Sequence, residues 1–107
     1  MTESEFQAAV IELARYGGWR VYHARPAQIR PGVWATPFTG DAGFPDLILA
    51  HPHRGLLAIE LKVGRNRATD AQLDWLEVLD GQLVEAATWR PEDLNYIARR
   101  LHKDMHV

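Results

Sequence analysis

Gly43-Phe44-Pro45-Asp46-Leu47-Ile48-Leu49-Ala50-His51-Pro52-His53-Arg54-Gly55-Leu56-Leu57-Ala58-Ile59-Glu60-Leu61-Lys62 decides the fold. Residues 47–50 and 56–61 are apolar runs of strand length, and the segment between them reads as a hairpin loop of about five residues. A turn centred on His53 sets Ala50 against Leu56, Ile48 against Ala58 and Asp46 against Glu60. Residues opposed in this way have Cβ atoms about 4.5–5.5 Å apart, and like charges there are destabilising. Strand parity puts Lys62 on the same face as Asp46 and Glu60, at its rim, and sends Leu47, Leu49, Leu57, Ile59 and Leu61 to the opposite, core-forming face. Two close carboxylates make a hard oxygen site suited to Mg²⁺ or Mn²⁺. A lysine beside them can orient or deprotonate a water, or stabilise phosphate charge. The same residues also fit a plain solvated strand end, and a register slip of one would undo the pairing.

Upstream, Phe6, Val10, Leu13 and Ala14 form one apolar stripe, which predicts a helix from Glu3 to Tyr16. Thr2 and Glu5 match a capping box, and Gly17-Gly18 stops the helix. Residues 19–24 read as a strand, and residues 25–43, rich in Pro and Gly, as mostly loop. Downstream, Thr69 and Gln72 form a second capping box for a helix whose inner face is Leu73, Leu76 and Leu79, with Gly81 at its C-terminal end. Residues 83–88 read as a strand. Pro91 opens a last helix with Leu94, Ile97, Ala98 and Leu101 buried. The expected order is α-β-β-β-α-β-α, a mixed sheet flanked by helices.

A chain of 107 residues suits one domain, taken as residues 1–107, with one core. There is no apolar run approaching the roughly 18 residues of a membrane span, and no signal segment opens the chain. Without cysteine, any metal must sit on oxygen or imidazole ligands, and the composition points to the cytoplasm. A net charge of −2 excludes a uniformly basic surface, while 12 Lys and Arg leave room for a local basic groove.

The motif Pro45-Asp46 followed by Glu60-Leu61-Lys62 resembles the PD-(D/E)XK nuclease superfamily. With Gly43-Phe44-Pro45-Asp46-Leu47-Ile48-Leu49, Thr69-Asp70-Ala71-Gln72-Leu73-Asp74-Trp75-Leu76 and Trp89-Arg90-Pro91-Glu92-Asp93, it looks like the VRR-NUC branch, in its stand-alone phage or bacterial form. The three residues that label that branch are absent as a string, Glu-Leu-Lys-Val standing here instead. The resemblance implies a restriction-endonuclease-like αβββαβ core plus a C-terminal helix. It implies metal binding by Asp46, Glu60 and the Leu61 carbonyl, catalysis by Lys62, and a supporting Gln72. A first-helix glutamate often joins such a set. Glu3 shares the face of Phe6 and Val10, whereas Glu5 points away and serves the cap, so Glu3 is the choice. A capping box alone would equally explain Gln72.

The implied activity is metal-dependent endonucleolytic hydrolysis of DNA, selective for branched forms such as Holliday junctions, by a homodimer. Groove charge is expected from Lys62, Arg65 and Arg67, with His23, Arg25 and Arg30 as a second patch. Trp34 and Phe38 are candidates for stacking on bases, or for anchoring their own loop. His51 and His53 read as exposed turn residues. The competing reading is a catalytically silent module of the same fold that binds nucleic acid or a protein partner.

Overall fold

The computed structural model describes residues 1–102; residues 103–107, which the single-domain span includes, lie outside the described residues. Helix α1 (Glu3–Tyr16) begins at a reciprocal cap. Thr2 Oγ1 accepts the Glu5 amide at 3.1 Å, and Glu5 Oε1 accepts the Thr2 amide at 2.8 Å. Its stripe of Phe6, Val10 and Ala14 is fully buried. The chain then turns through Gly17-Gly18 into strand β1 (Arg20–His23).

The central sheet has the strand order β1-β4-β5-β6, where β4 is Leu47–His51, β5 is Gly55–Leu61 and β6 is Glu85–Trp89. β1 and β5 both run antiparallel to β4, and β6 runs parallel to β5. A parallel neighbour requires a crossover, here helix α2 (Asp70–Leu79). The β4–β5 register is the expected one, with Leu47 opposite Ile59, Ile48 opposite Ala58 and Ala50 opposite Leu56. His51 pairs with Gly55, so the turn is Pro52, His53 and Arg54, shorter than the expected loop.

Leu47, Leu49, Leu57, Ile59 and Leu61 meet Phe6 and Val10 of α1 in one buried cluster. Ile97 and Leu101 of helix α3 (Leu94–Leu101) complete it. The fold is therefore the expected mixed sheet flanked by helices, with a C-terminal helix. Trp19 fastens the far end, its Nε1 donating to the Leu101 carbonyl at 3.0 Å. The guanidinium carbons of Arg54 and Arg100 stand 5.5 and 5.3 Å from its ring, and Arg54 donates to the Arg100 and His102 carbonyls. His51 packs on the same ring at 5.2 Å, so it is a partly buried packing residue rather than an exposed turn histidine.

Four local expectations need correction. Segment 25–43 is not mostly loop: it holds a separate two-stranded hairpin of β2 (Ala27–Arg30) and β3 (Val33–Ala35). Pro31-Gly32, read as loop composition, is its turn, with Gly32 at φ +76°. Strand β6 starts later than expected because Leu83 takes φ +66° in an exposed turn, which no strand residue can. On α2, Leu73 is 49% exposed, while Leu76 is buried and Trp75 partly so. The inward stripe is displaced because Gln72 is drawn towards the sheet. Lastly, Pro91–Asp93 forms a 3-10 turn before α3 begins, its Asp93 Oδ2 accepting the Arg90 amide at 2.9 Å.

Gly17 is required by close approach rather than by its dihedral angles. A Cβ there would lie 1.8 Å from the Leu101 carbonyl oxygen, the atom that receives the Trp19 indole. Gly17→Ala is expected to cost at least about 1–3 kcal/mol through overpacking, measured as a lower urea midpoint with unchanged slope. A wild-type midpoint would contradict this packing of α1 against α3.

Candidate active site

Asp46 stands where Pro45 leads into β4, one residue beyond the last ladder pair. Its Oδ2 accepts the Leu61 amide at 2.8 Å, so the side chain continues the β4–β5 connection past the end of the backbone ladder. On its other side, the Asp46 carbonyl lies 3.1 Å from His23 Nδ1 on β1. The aspartate is thus fixed from both neighbouring strands. No sequence signal gave His23 this positioning role.

Glu60 points from β5 to the face covered by α2. Expected at the rim, it is instead 1% exposed, the one buried charged side chain among the described residues. The reason is position: β5 is interior to the sheet, with β4 and β6 on its flanks and α2 above. Gln72 Nε2 donates to Glu60 Oε1 at 3.0 Å, and Lys62 Nζ lies 3.8 Å from the same oxygen. Glu60 Oε2 is buried with no hydrogen-bond partner among the described residues. Burial, then the neighbouring Asp46 carboxylate, which favours the protonated form first as a hydrogen-bond acceptor and then by its charge, push the Glu60 carboxyl up to about 8. Lys62 pulls in the opposite direction, and the charge of Glu3 adds a further upward push.

Gln72 serves two purposes at once. Its Oε1 accepts the Thr69 amide at 2.8 Å in the capping box, leaving its Nε2 for Glu60. The cap thus takes one end of the side chain and Glu60 the other. Glu3 and Glu5 divide similarly. Glu5 is held by Thr2, and Glu3 is the helix-α1 acid whose charge Glu60 feels. Glu3 does not complete a cluster: among the described residues, no three His, Cys, Asp or Glu side chains converge at metal-holding distance. The donor chemistry nevertheless fits a divalent cation, because two neighbouring carboxyl groups disfavour each other's charged form and a cation in place of the proton would relieve that repulsion, with the buried Glu60 Oε2 left as a donor.

Arg65 and Arg67 are exposed on the segment joining β5 to α2. That segment is pinned by Arg90, whose Nη1 and Nη2 donate to the carbonyls of Gly64 and Asn66 at 3.2 and 2.7 Å. Nothing in the spacing of the chain signals this role, because Arg90 and the carbonyls it meets are more than twenty residues apart. Arg25 and Arg30 lie exposed after β1 and on β2, and among the described residues no hydrogen bond or ion pair joins them to Glu60 or Asp46.

A family model described as the VRR-NUC domain matches residues 7–91, a span that contains Asp46, Glu60, Lys62 and Gln72 but not Glu3. Among solved structures, a chain described as a VRR_NUC domain protein is similar at 29% identity and a TM-score of 0.58. The match covers 92% of this chain and 84% of that one. Comparison with curated proteins finds no match.

The raised Glu60 value gives a pH dependence of definite sign. Below its ordinary value of 4.5 the carboxyl is protonated in both folded and unfolded chains. As pH rises towards about 8, the unfolded chain releases the proton while the folded one retains it, so stability falls across that window. Metal-free protein should therefore have a lower urea midpoint at about pH 9 than at about pH 5, with the slope diminished in Glu60→Gln. The same slope in both proteins would show that Glu60 does not carry the strain.

Proposed function

The chain belongs to the VRR-NUC domain family, and we propose that it is a metal-dependent endodeoxyribonuclease with its reaction centre at Asp46, Glu60 and Lys62. Its proposed substrate is branched DNA of the Holliday-junction kind, cut by a homodimer in the cytoplasm. The observation that carries this reading is Glu60, a fully buried carboxyl next to Lys62 whose Oε2 has no hydrogen-bond partner among the described residues. A structural role would favour an apolar residue there, because a buried polar atom without a partner costs about 1–3 kcal/mol. Among the described residues no helix is long and apolar enough to cross a membrane.

Asp46, Glu60 and the Leu61 carbonyl would hold Mg²⁺ or Mn²⁺, with Glu3 as a further acid from α1. When bound, such an ion supplies an activated water and neutralises phosphate charge. Asp46 is kept in place for this by the Leu61 amide and His23. Gln72 orients Glu60 while anchoring the start of α2. Lys62, 3.8 Å from Glu60 Oε1, would stand beside the reacting phosphate, where its amine can hold the water or donate to a phosphoryl oxygen. Arg65 and Arg67 carry the flanking phosphates, and Arg25 and Arg30 a more distant stretch of backbone. A dimer would present two such centres to two strands.

The test is cleavage of labelled duplex, flap, fork and four-way-junction DNA with Mg²⁺ or Mn²⁺. Wild type should cut a branched substrate, and chelation should abolish cutting. Asp46→Ala and Lys62→Ala should lose about 10²–10⁴-fold in rate. Gln72→Ala should lose about 10–100-fold, as expected for a group that orients a metal ligand. Equal inactivity of wild type and Lys62→Ala on every DNA would favour the silent binding module.

A further inference from the structure

A cleft of about 590 Å³ opens beside Asp46, between the end of β1, the segment after β3 and the first turns of α2. Its walls include the rings of Tyr22, Phe38, Phe44 and Trp75. Asp41 and Asp46 supply its charge, and among the described residues no lysine or arginine lines it. Of the two loop aromatics singled out in the sequence, Phe38 belongs to this cleft, whereas Trp34 on β3 does not line it.

We propose that this cleft receives an unpaired nucleobase from the nucleotide next to the scissile phosphate; the inference rests on the nuclease reading and names the feature of DNA that it selects. Three observations support it. The cleft is continuous with the reaction centre, because Asp46 belongs to both. Away from Asp46, which the proposed metal would occupy, its charge is the Asp41 carboxylate, which repels a phosphate, while a flat neutral ring stacks on aromatic faces whatever the base. Its volume lies in the range of sites that enclose small molecules.

The cleft is also built in advance. Phe44 meets Trp75 edge to face at 5.0 Å, and the Trp75 indole donates to the Asp41 carbonyl at 3.2 Å. Gly43, at φ +100°, presses against the start of α2 so closely that a Cβ would stand 2.6 Å from the Ala71 carbonyl carbon. Those contacts hold one wall rigid, which lowers the ordering cost of binding. Tyr22 and Phe38, each 62% exposed, stand open on the other side. A base stacked within a duplex cannot reach such a pocket without leaving its partner. An unpaired base at a junction, bulge or flap enters at little cost, and this would give selectivity for structure without any reading of sequence.

The test uses the intact protein and two DNAs, one fully paired and one carrying an unpaired 2-aminopurine. Wild type should bind the second more tightly and quench its fluorescence. Phe38→Ala and Tyr22→Ala should each lose about 5- to 150-fold in affinity for the unpaired-base DNA, the range for one stacked base. Affinity for the paired duplex should hold within about twofold, Phe38→Trp should restore binding, and Tyr96→Ala on α3 should have no effect. Equal losses on both DNAs, no loss on either, or an altered sedimentation rate in place of altered DNA affinity would overturn the proposal, the last by showing that the cleft takes a second copy of the chain. Cleavage with Mg²⁺ or Mn²⁺ is measured alongside. Wild type that cuts but shows no preference for the unpaired base sinks this inference alone, and wild type that neither binds nor cuts sinks the nuclease reading with it.

Discussion

The Asp46 carboxylate closes the β4–β5 pair with a side chain where the backbone ladder has ended, accepting the Leu61 amide at 2.8 Å. The arrangement of both faces of the sheet follows from that register. With Leu47 opposite Ile59, alternate residues of β5 divide cleanly: Leu57, Ile59 and Leu61 enter the core, and Ala58 and Glu60 face α2. A slip of one residue would drive Glu60 into the apolar cluster and turn three large side chains towards α2. The bond that would hold a metal ligand in place is therefore also a bond that keeps the fold in register, and His23 reinforces it from β1.

The two faces carry different burdens. Phe6, Val10, Ile97 and Leu101 pack against the leucine-rich face and supply the burial that stabilises the domain. The opposite face keeps a carboxyl in a place where its charged form is disfavoured. The connection that makes β6 parallel to β5 must pass over this face, and it brings Gln72 to Glu60 in doing so. Topology thus provides the support that a buried acid requires, since the crossover helix begins with a cap whose spare amide nitrogen completes the site.

Elements with strong periodicity or a paired signal were legible from the sequence. The stripe of α1, the register of the hairpin, both capping boxes and the burial of Ile97 and Leu101 all follow from local pattern. The hairpin of β2 and β3 was hidden because its turn chemistry, Pro31-Gly32, has the composition of a loop. The full burial of Glu60 was hidden for another reason: parity gives the face but not the depth, which depends on β6 and α2 arriving from later in the chain. Arg90 and His23 act through backbone carbonyls of distant segments, contacts that leave no spacing to read. Leu73 departs from the inner face that the apolar stripe predicts, because that stripe does not anticipate a glutamine bonded to a buried carboxyl.

The grip of Arg90 on the Gly64 and Asn66 carbonyls has a thermodynamic consequence. A surface segment between a strand and a helix would ordinarily lose backbone freedom when a ligand settles on it, at about 1–2 kcal/mol per residue. Here that loss is incurred during folding, because a planar guanidinium spans two carbonyls and leaves the backbone between them little to give up. Contacts made through Arg65 and Arg67 would then draw on counterion release and on side-chain rotamers alone, so their strength would respond steeply to salt while adding little heat-capacity change.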